Sequence, residues 1–248
     1  MDFAFLTDVG RLRPHNEDNG GIVVNRSGVM AVVADGMGGH QAGDVASKMA
    51  YDLLEEAWQK EPQFESTQQV EQWLTENIAR INISLYDRAK MDPNCQGMGT
   101  TLVVAVFIDE MLSIAHIGDS RAYLLNQFGF TQKTNDHSLV NELVRTGQIT
   151  DEEAENHPRK NVLLRALGTE REVKMDVQSL NWEQGDILLL CSDGLSNKVD
   201  HDDILSILKQ TNTVTSKVEQ LIELANIRGG EDNITVALIE NTGVSDER

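Results

Sequence analysis

The residues in this chain best suited to chemistry are acids placed where apolar runs begin or end. Val29–Ala34 is uninterrupted apolar sequence that stops at Asp35-Gly36, with Gly38, Gly39 and His40 following. Ile187–Cys191 stops in the same way at Ser192-Asp193-Gly194, and Gly118-Asp119-Ser120 separates two more apolar runs. Asp232 stands just before the run Ile234–Ile239, and the segment RPHNED carries Arg13, Glu17 and Asp18. A single Asp-Gly is an ordinary turn signal. Together these acids form a set. If the element ends converge, like-charged carboxylates in a small volume must either hold protons or bind cations. Oxygen ligands with few histidines suit Mg²⁺ or Mn²⁺ better than zinc or copper.

The elements that would position these acids follow from periodicity. Asp2–Thr7, Gly20–Asn25 and Val29–Ala34 read as strands, the last two joined through Arg26-Ser27-Gly28. Val45, Met49 and Leu53 recur every four residues from Gly43 to Trp58, the mark of an amphipathic helix. A second helix spans about Thr67 to Lys90 after a loop around Pro62, with Ser66 or Thr67 to cap it. These two helices are expected to cover one face of a sheet. A meander of strands follows, Thr100–Ile108, Leu112–Ile117, Ser120–Leu125 and Phe128–Gln132, whose short turns predict antiparallel pairing. Ser138–Thr146 reads as a short helix, and Thr150 to Glu153 has the capping-box form of another. Strands resume at Val173–Leu180 and Ile187–Cys191, then helices near Asp202–Gln210 and Thr215–Arg228, a closing strand Ile234–Ile239, and a polar tail Thr242–Arg248. Strand runs and helix pairs are segregated, with no repeat and no Pro/Gly/Ser linker. The class is therefore α+β with antiparallel sheets, and 1–248 reads as a single domain with a polar insert at about 136–165.

Composition sets bounds on partners. A net charge of −19 from 40 acids and 21 bases disfavours nucleic acid or an anionic membrane, which both need clustered Lys and Arg. No apolar run approaches the ~20 residues of a membrane span. The absence of a signal-like N-terminus, and two cysteines in no disulfide or nucleophile pattern, Cys95 and Cys191, point to a reduced, cytoplasmic protein. The same charge opposes a metal-dependent nuclease. The spacing Asp200-His201-Asp202 does not follow an apolar run, as an aspartyl-phosphate nucleophile would require.

In order along the chain, RxxxED (Arg13, Glu17, Asp18), ADGMGGH (Ala34–His40), GMGTT (Gly97–Thr101), GDSRAY (Gly118–Tyr123), DHS (Asp136–Ser138), SDGL (Ser192–Leu195) and EDNITV (Glu231–Val236) resemble the metal-dependent protein phosphatases of the PP2C (PPM) type. The compact bacterial branch, which pairs with Ser/Thr kinases, is the nearest likeness. The resemblance implies a four-layer α-β-β-α sandwich with two antiparallel sheets between helix pairs, and a binuclear Mn²⁺/Mg²⁺ site between the sheets. By that likeness Asp35 bridges both ions, Asp193 and Asp232 serve one, and the Gly36 carbonyl serves the other. Glu17 acts mainly through metal-bound water, Asp18 supports the site, and Asp119 with Asp193 holds a third ion. Arg13 matches the arginine that grips the substrate phosphate.

The implied reaction is in-line attack by a metal-bridging hydroxide on phosphoserine or phosphothreonine, the two cations lowering the pKa of the shared water. Partners would be phosphorylated proteins, among them a cognate Ser/Thr kinase, met by a monomer. His40 has a catalytic reading, general acid for the leaving oxygen, and a supporting one, either capping the helix near Gly43 or standing behind the residues that hold the metals. His116 and His137 read as structural or surface residues. The insert 136–165 matches the family's variable flap, and its basic Arg145, Arg159, Lys160 and Arg165 read as solvated charge.

Overall fold

The structure is a computed structural model that describes residues 1–38, 42–60 and 63–243. His40, Pro62 and most of the tail expected over Thr242–Arg248 lie outside the described residues.

Eleven strands make two sheets among the described residues. The first is ordered β1 (Asp2–Asp8), β11 (Ile234–Glu240), β10 (Ile187–Cys191), β7 (Arg121–Asn126) and β8 (Gly129–Gln132). The second is ordered β2 (Asp18–Asn25), β3 (Gly28–Met37), β5 (Leu102–Ile108), β6 (Met111–Ile117) and β9 (Asp176–Asn181), with the two-residue β4 (Gly99–Thr100) added to β3. Every strand pairing is antiparallel, as expected.

Period-2 alternation puts the two faces of β3 into different cores. Val29, Ala31 and Val33 face the opposite sheet, where they join Phe107, Leu188, Leu190, Ala237 and Trp182. Met30, Val32 and Ala34 face helices α1 (Ala42–Gln59) and α2 (Thr67–Met91), packing with Leu54, Trp58, Leu74 and Ile78. Helices α6 (His201–Leu208) and α7 (Val214–Ile227) cover the outer face of the first sheet through Ile204, Val218, Leu221 and Ile222. Three apolar layers between four layers of structure give the α-β-β-α sandwich.

Local signals held where the chemistry is local. Ser66 caps α2, and Thr150 with Glu153 forms the capping box of α4 (Asp151–Glu155). Ser138 caps α3 (Leu139–Arg145). The four-residue α5 (Asp193–Ser196) was not foreseen.

Two expectations are corrected. The meander is not one sheet, because β5 and β6 belong to the second sheet and β7 and β8 to the first. Gly118-Asp119-Ser120 is therefore a crossing between sheets, with Gly118 at φ +101°. A Cβ there would also lie 2.6 Å from Thr101 Cγ2, so glycine is required twice over. Nor does β3 end at Ala34: it continues through Asp35 and Gly36 to Met37, because Asp35 pairs with Asp18 of β2 while Gly36 and Met37 pair with β4.

Candidate metal centre

Asp35 lies near the end of β3 with its backbone held on every side. Its N–H donates to Thr101 Oγ1 (2.9 Å), and its carbonyl accepts from Thr101 N–H (2.8 Å) and Thr100 Oγ1 (2.9 Å). Thr101 Oγ1 also bonds Ser120 Oγ (2.7 Å), which ties the strand carrying Asp35 to the crossing that carries Asp119. The threonine pair of GMGTT thus sets the pose of two acids at once.

Opposite Asp35 in the β2–β3 register stands Asp18. Asp18 is only 6% exposed, and its Oδ2 accepts from Ser192 Oγ (2.8 Å) and Thr235 Oγ1 (2.7 Å). Those two hydroxyls come from the first sheet and from the segments that carry Asp193 and Asp232. Thr235 N–H in turn donates to Ser192 Oγ (2.9 Å). Asp18 is therefore the buried clamp between the sheets.

Glu17 is set by its backbone. Its carbonyl accepts from Gly36 N–H (3.1 Å) and Ser47 Oγ (2.5 Å), and its N–H donates to Asn233 Oδ1 (2.8 Å). A Cβ on Gly36 would fall 2.0 Å from the Gly43 carbonyl oxygen, so the close approach of β2, β3 and α1 at this point excludes any side chain. Asn233 is 4% exposed and uses its whole amide on the first loop, donating also to Val9 O (2.9 Å) and His15 O (3.1 Å).

The electrostatics show that these acids converge. Asp35 is held well above the usual carboxylate range, first by desolvation and then by the charges of Asp18, Asp193, Asp119 and Asp232. Desolvation also pushes Asp18 and Asp119 up to about 7, with Asp193 adding to both. Asp193 is raised by desolvation and then by Asp232. Its Oδ1 is buried with no donor among the described residues, while Oδ2 accepts from Asn197 Nδ2 (3.0 Å). Raised carboxyls with an orphaned oxygen fit a divalent cation, which supplies the missing positive charge and ligand demand together. Asp35, Asp119, Asp193 and Asp232 each keep some surface open to solvent, so the cluster is reachable.

Arg13 lies at the rim. Its Nη2 is 2.7 Å from Asp232 Oδ2 and its Nε donates to the Glu231 carbonyl (3.3 Å), with the side chain 46% exposed. Arg121, joined to Asp136 by contacts of 2.7–3.1 Å, is near enough for its charge to pull Asp119 and Asp193 down against these larger effects. Thus Asp18, Asp35, Asp119, Asp193 and Asp232 come together with Glu17 and Arg13 beside them. His40 lies outside the described residues.

Sequence reasoning left Asn233, Thr100, Thr101, Ser192 and Thr235 without a role. Their signal was membership of a quoted motif: Asn233 and Ser192 stand next to an acid, Thr235 is three residues from one, and Thr100 and Thr101 belong to a motif without one. It also read His116 and His137 separately. The structure stacks their rings at 4.7 Å, both buried, with Asp176 across the β6–β9 pair from His116. The two cysteines are buried, and burial pushes the Cys191 thiol up to about 12, so neither is poised as a nucleophile.

Comparison with known proteins places this arrangement. Residues 13–227 match the family model described as Protein phosphatase 2C. The serine/threonine phosphatase stp of Listeria monocytogenes serotype 4b (strain F2365) is 50% identical over 243 residues, covering 97% of this chain and 96% of that protein. The crystal structure of the serine/threonine phosphatase Stp1 from Staphylococcus aureus superposes with a TM-score of 0.91 at 40% identity, over 97% of this chain and 95% of that one. The catalytic domain of the serine threonine protein phosphatase PstP, solved with two manganese ions, superposes at 0.84 with 37% identity, over 95% and 96% of the two chains. This chain belongs to the protein phosphatase 2C family, whose members are metal-dependent serine/threonine phosphatases using Mn²⁺ or Mg²⁺. Among its described residues no helix is long and apolar enough to cross a membrane.

Proposed function

We propose that the cluster of Asp18, Asp35, Asp119, Asp193 and Asp232 is the catalytic metal centre of this phosphatase, acting on phosphoserine and phosphothreonine in proteins. The observation that carries the assignment is the convergence of these buried acids, tied together through Thr101, Ser120, Ser192 and Thr235, where desolvation first and then the neighbouring acids hold Asp35 well above a normal carboxyl. Asp35, Asp193 and Asp232, with the Gly36 carbonyl and Glu17, would hold two ions, and Asp119 with Asp193 a third. When bound, such ions neutralise the acids, acidify bound water and stabilise charge building on phosphorus.

The chain's own groups supply placement. Thr101 and Thr100 hold Asp35 still, and Ser192 and Thr235 hold Asp18. Arg13 offers the phosphate the guanidinium edge not used on Asp232 and Glu231, suited to a forked contact. His40 keeps its two roles, general acid or support. A single domain, a monomeric state, a cytoplasmic setting and a cognate Ser/Thr kinase among the partners complete the reading. No cysteine takes part.

The test is hydrolysis of phosphothreonine and phosphoserine peptides in Mn²⁺ and in chelator, with Asp35→Asn and Asp193→Asn alongside. Activity should need Mn²⁺ and fall by at least about 100-fold in either variant, the scale on which losing charge stabilisation at a reacting centre acts. Turnover that survives chelation, or survives both substitutions, overturns the assignment.

A further inference from the structure

We infer that His137 is a positioning residue that fixes the Gly118–Asp119 crossing to the neck of the flap, and so sets the third cation position. The inference rests on the reading that Asp119 with Asp193 holds such an ion.

One residue satisfies both backbone groups of Gly118. His137 N–H donates to the Gly118 carbonyl (2.9 Å), and Gly118 N–H donates to His137 Nδ1 (3.2 Å). The next residue is Asp119. Gly118 sits at a left-handed φ of +101° and has no side chain to anchor it, so these two bonds are what hold its peptide groups in place. The same histidine closes the flap. Its carbonyl accepts from Leu164 N–H (2.7 Å), beside the Ser138–Leu163 bridge and the Leu139 N–H to Val162 carbonyl bond (2.8 Å). Both ends of the insert therefore meet at His137, and its ring reaches from there to the crossing.

The ring is held from its far side as well. Because Nδ1 accepts a proton donor, the neutral ring carries its hydrogen on Nε2, which faces Asp176 Oδ2 at 3.3 Å. Asp176 Oδ1 is 3.3 Å from Arg165 Nη1, at the flap's exit. His116 stacks beneath and has its Nε2 2.9 Å from the Asn135 carbonyl. Burial, then the neighbouring His116, keeps His137 below its ordinary pKa and so neutral.

The ligand atoms of His116, His137 and Asp176 lie within 4.8 Å of one another, as a metal site would have them. Two features close that use. The Arg165 guanidinium, 3.1 Å from His137 Nε2, and the ring's Nε2–H are two donors that share the Asp176 carboxylate, and the ring's lone pair is engaged by Gly118. The group is a latch built on a protein cation.

Two substitutions separate the contacts. Asparagine places its Oδ1 near the position of Nδ1, while glutamine extends toward Nε2. His137→Asn should keep the Gly118 bond, and His137→Gln should lose it. Calorimetric titration of the chelated protein with Mn²⁺ should show two tight ions and one weaker ion that Asp119→Ala abolishes. His137→Gln should weaken the third ion by about 10-fold or more, the scale set by residues that orient metal ligands. His137→Asn should stay within about 3-fold of the parent, and the tight ions should be unchanged in both. A third ion indifferent to His137→Gln, or weakened equally by both variants, overturns the inference alone. A parent with no third ion, or one insensitive to Asp119→Ala, fails the underlying reading instead. Should His137→Gln not fold, Asp176→Ala frees the ring's far side: a third-ion Kd severalfold weaker supports the latch, and an unchanged one refutes it.

Discussion

Removing the metal should make this protein's stability fall as pH rises, the opposite of the usual behaviour of native carboxylates. The cause is Asp18, buried between the sheets and pushed up to about 7 from an ordinary 3.8. Desolvation is the largest contribution, and the bonds from Thr235 and Ser192 offset only part of it. Between these two values the folded chain binds a proton that the unfolded chain has released. Stability is therefore fully present below about pH 4 and is lost progressively until pH passes the folded value near 7. At about 1.4 kcal/mol per pH unit, that interval is worth on the order of 4 kcal/mol for Asp18 alone. In a chain of this length it corresponds to roughly 10 °C in Tm. Asp35, Asp119 and Asp193 are shifted in the same direction and add to the effect. The assay is thermal unfolding in chelator at half-unit steps from pH 5 to 8, repeated in about millimolar Mn²⁺. Cation ligands must be deprotonated, so metal affinity grows with pH and the Mn²⁺ series should be flat or rising. Asp18→Asn in chelator should show a shallower fall and a higher Tm at pH 8 than the parent. A chelated Tm that is level from pH 5 to 8, or a fall of equal slope in Mn²⁺, would refute the reasoning.

Further tests address the frame around the centre. Asn233→Ala removes three buried hydrogen bonds to the loop that carries Arg13 and Glu17, so about 2–4 kcal/mol of stability should go, read from the denaturant midpoint. Because that loop also places site residues, kcat/KM of the folded fraction should fall as well. Arg13→Ala should lower kcat/KM for a phosphothreonine peptide by about 10- to 100-fold, the worth of a charge-assisted hydrogen bond, with Mn²⁺ affinity little changed in calorimetry. Replacing Cys95 and Cys191 together by alanine should leave steady-state turnover within about 2-fold, since Cys191 is held protonated in the core.

The elements legible in the sequence were those whose causes are local. The four-residue spacing of Val45, Met49 and Leu53 marked α1, the Ser66 cap marked the start of α2, and Thr150 with Glu153 marked α4. What escaped depended on distant partners. Asp35 lies within a strand because it pairs with Asp18 on β2 and the next residue, Gly36, pairs with Thr100, more than sixty positions on. Gly118–Ser120 looked like a hairpin turn, since turn residues between apolar runs are the same whether the chain reverses within a sheet or crosses to another. Asn233 carried no role in the sequence, because nothing near it along the chain reveals that its amide is spent on Val9, His15 and Glu17.

The chain alone determined the list of acids, their order and the elements around them, because strand ends, caps and helical stripes are written in neighbouring residues. Its motif set also pointed to the family. Only the tertiary structure decided that Asp18 would be the buried clamp, that Thr101 would hold two acids in register, and that His116, His137, Asp176 and Arg165 would meet at the neck of the flap. Those facts arise where two sheets close on each other. There, hydrogen-bond partners and neighbouring charges are set by packing across the sandwich and not by position along the chain.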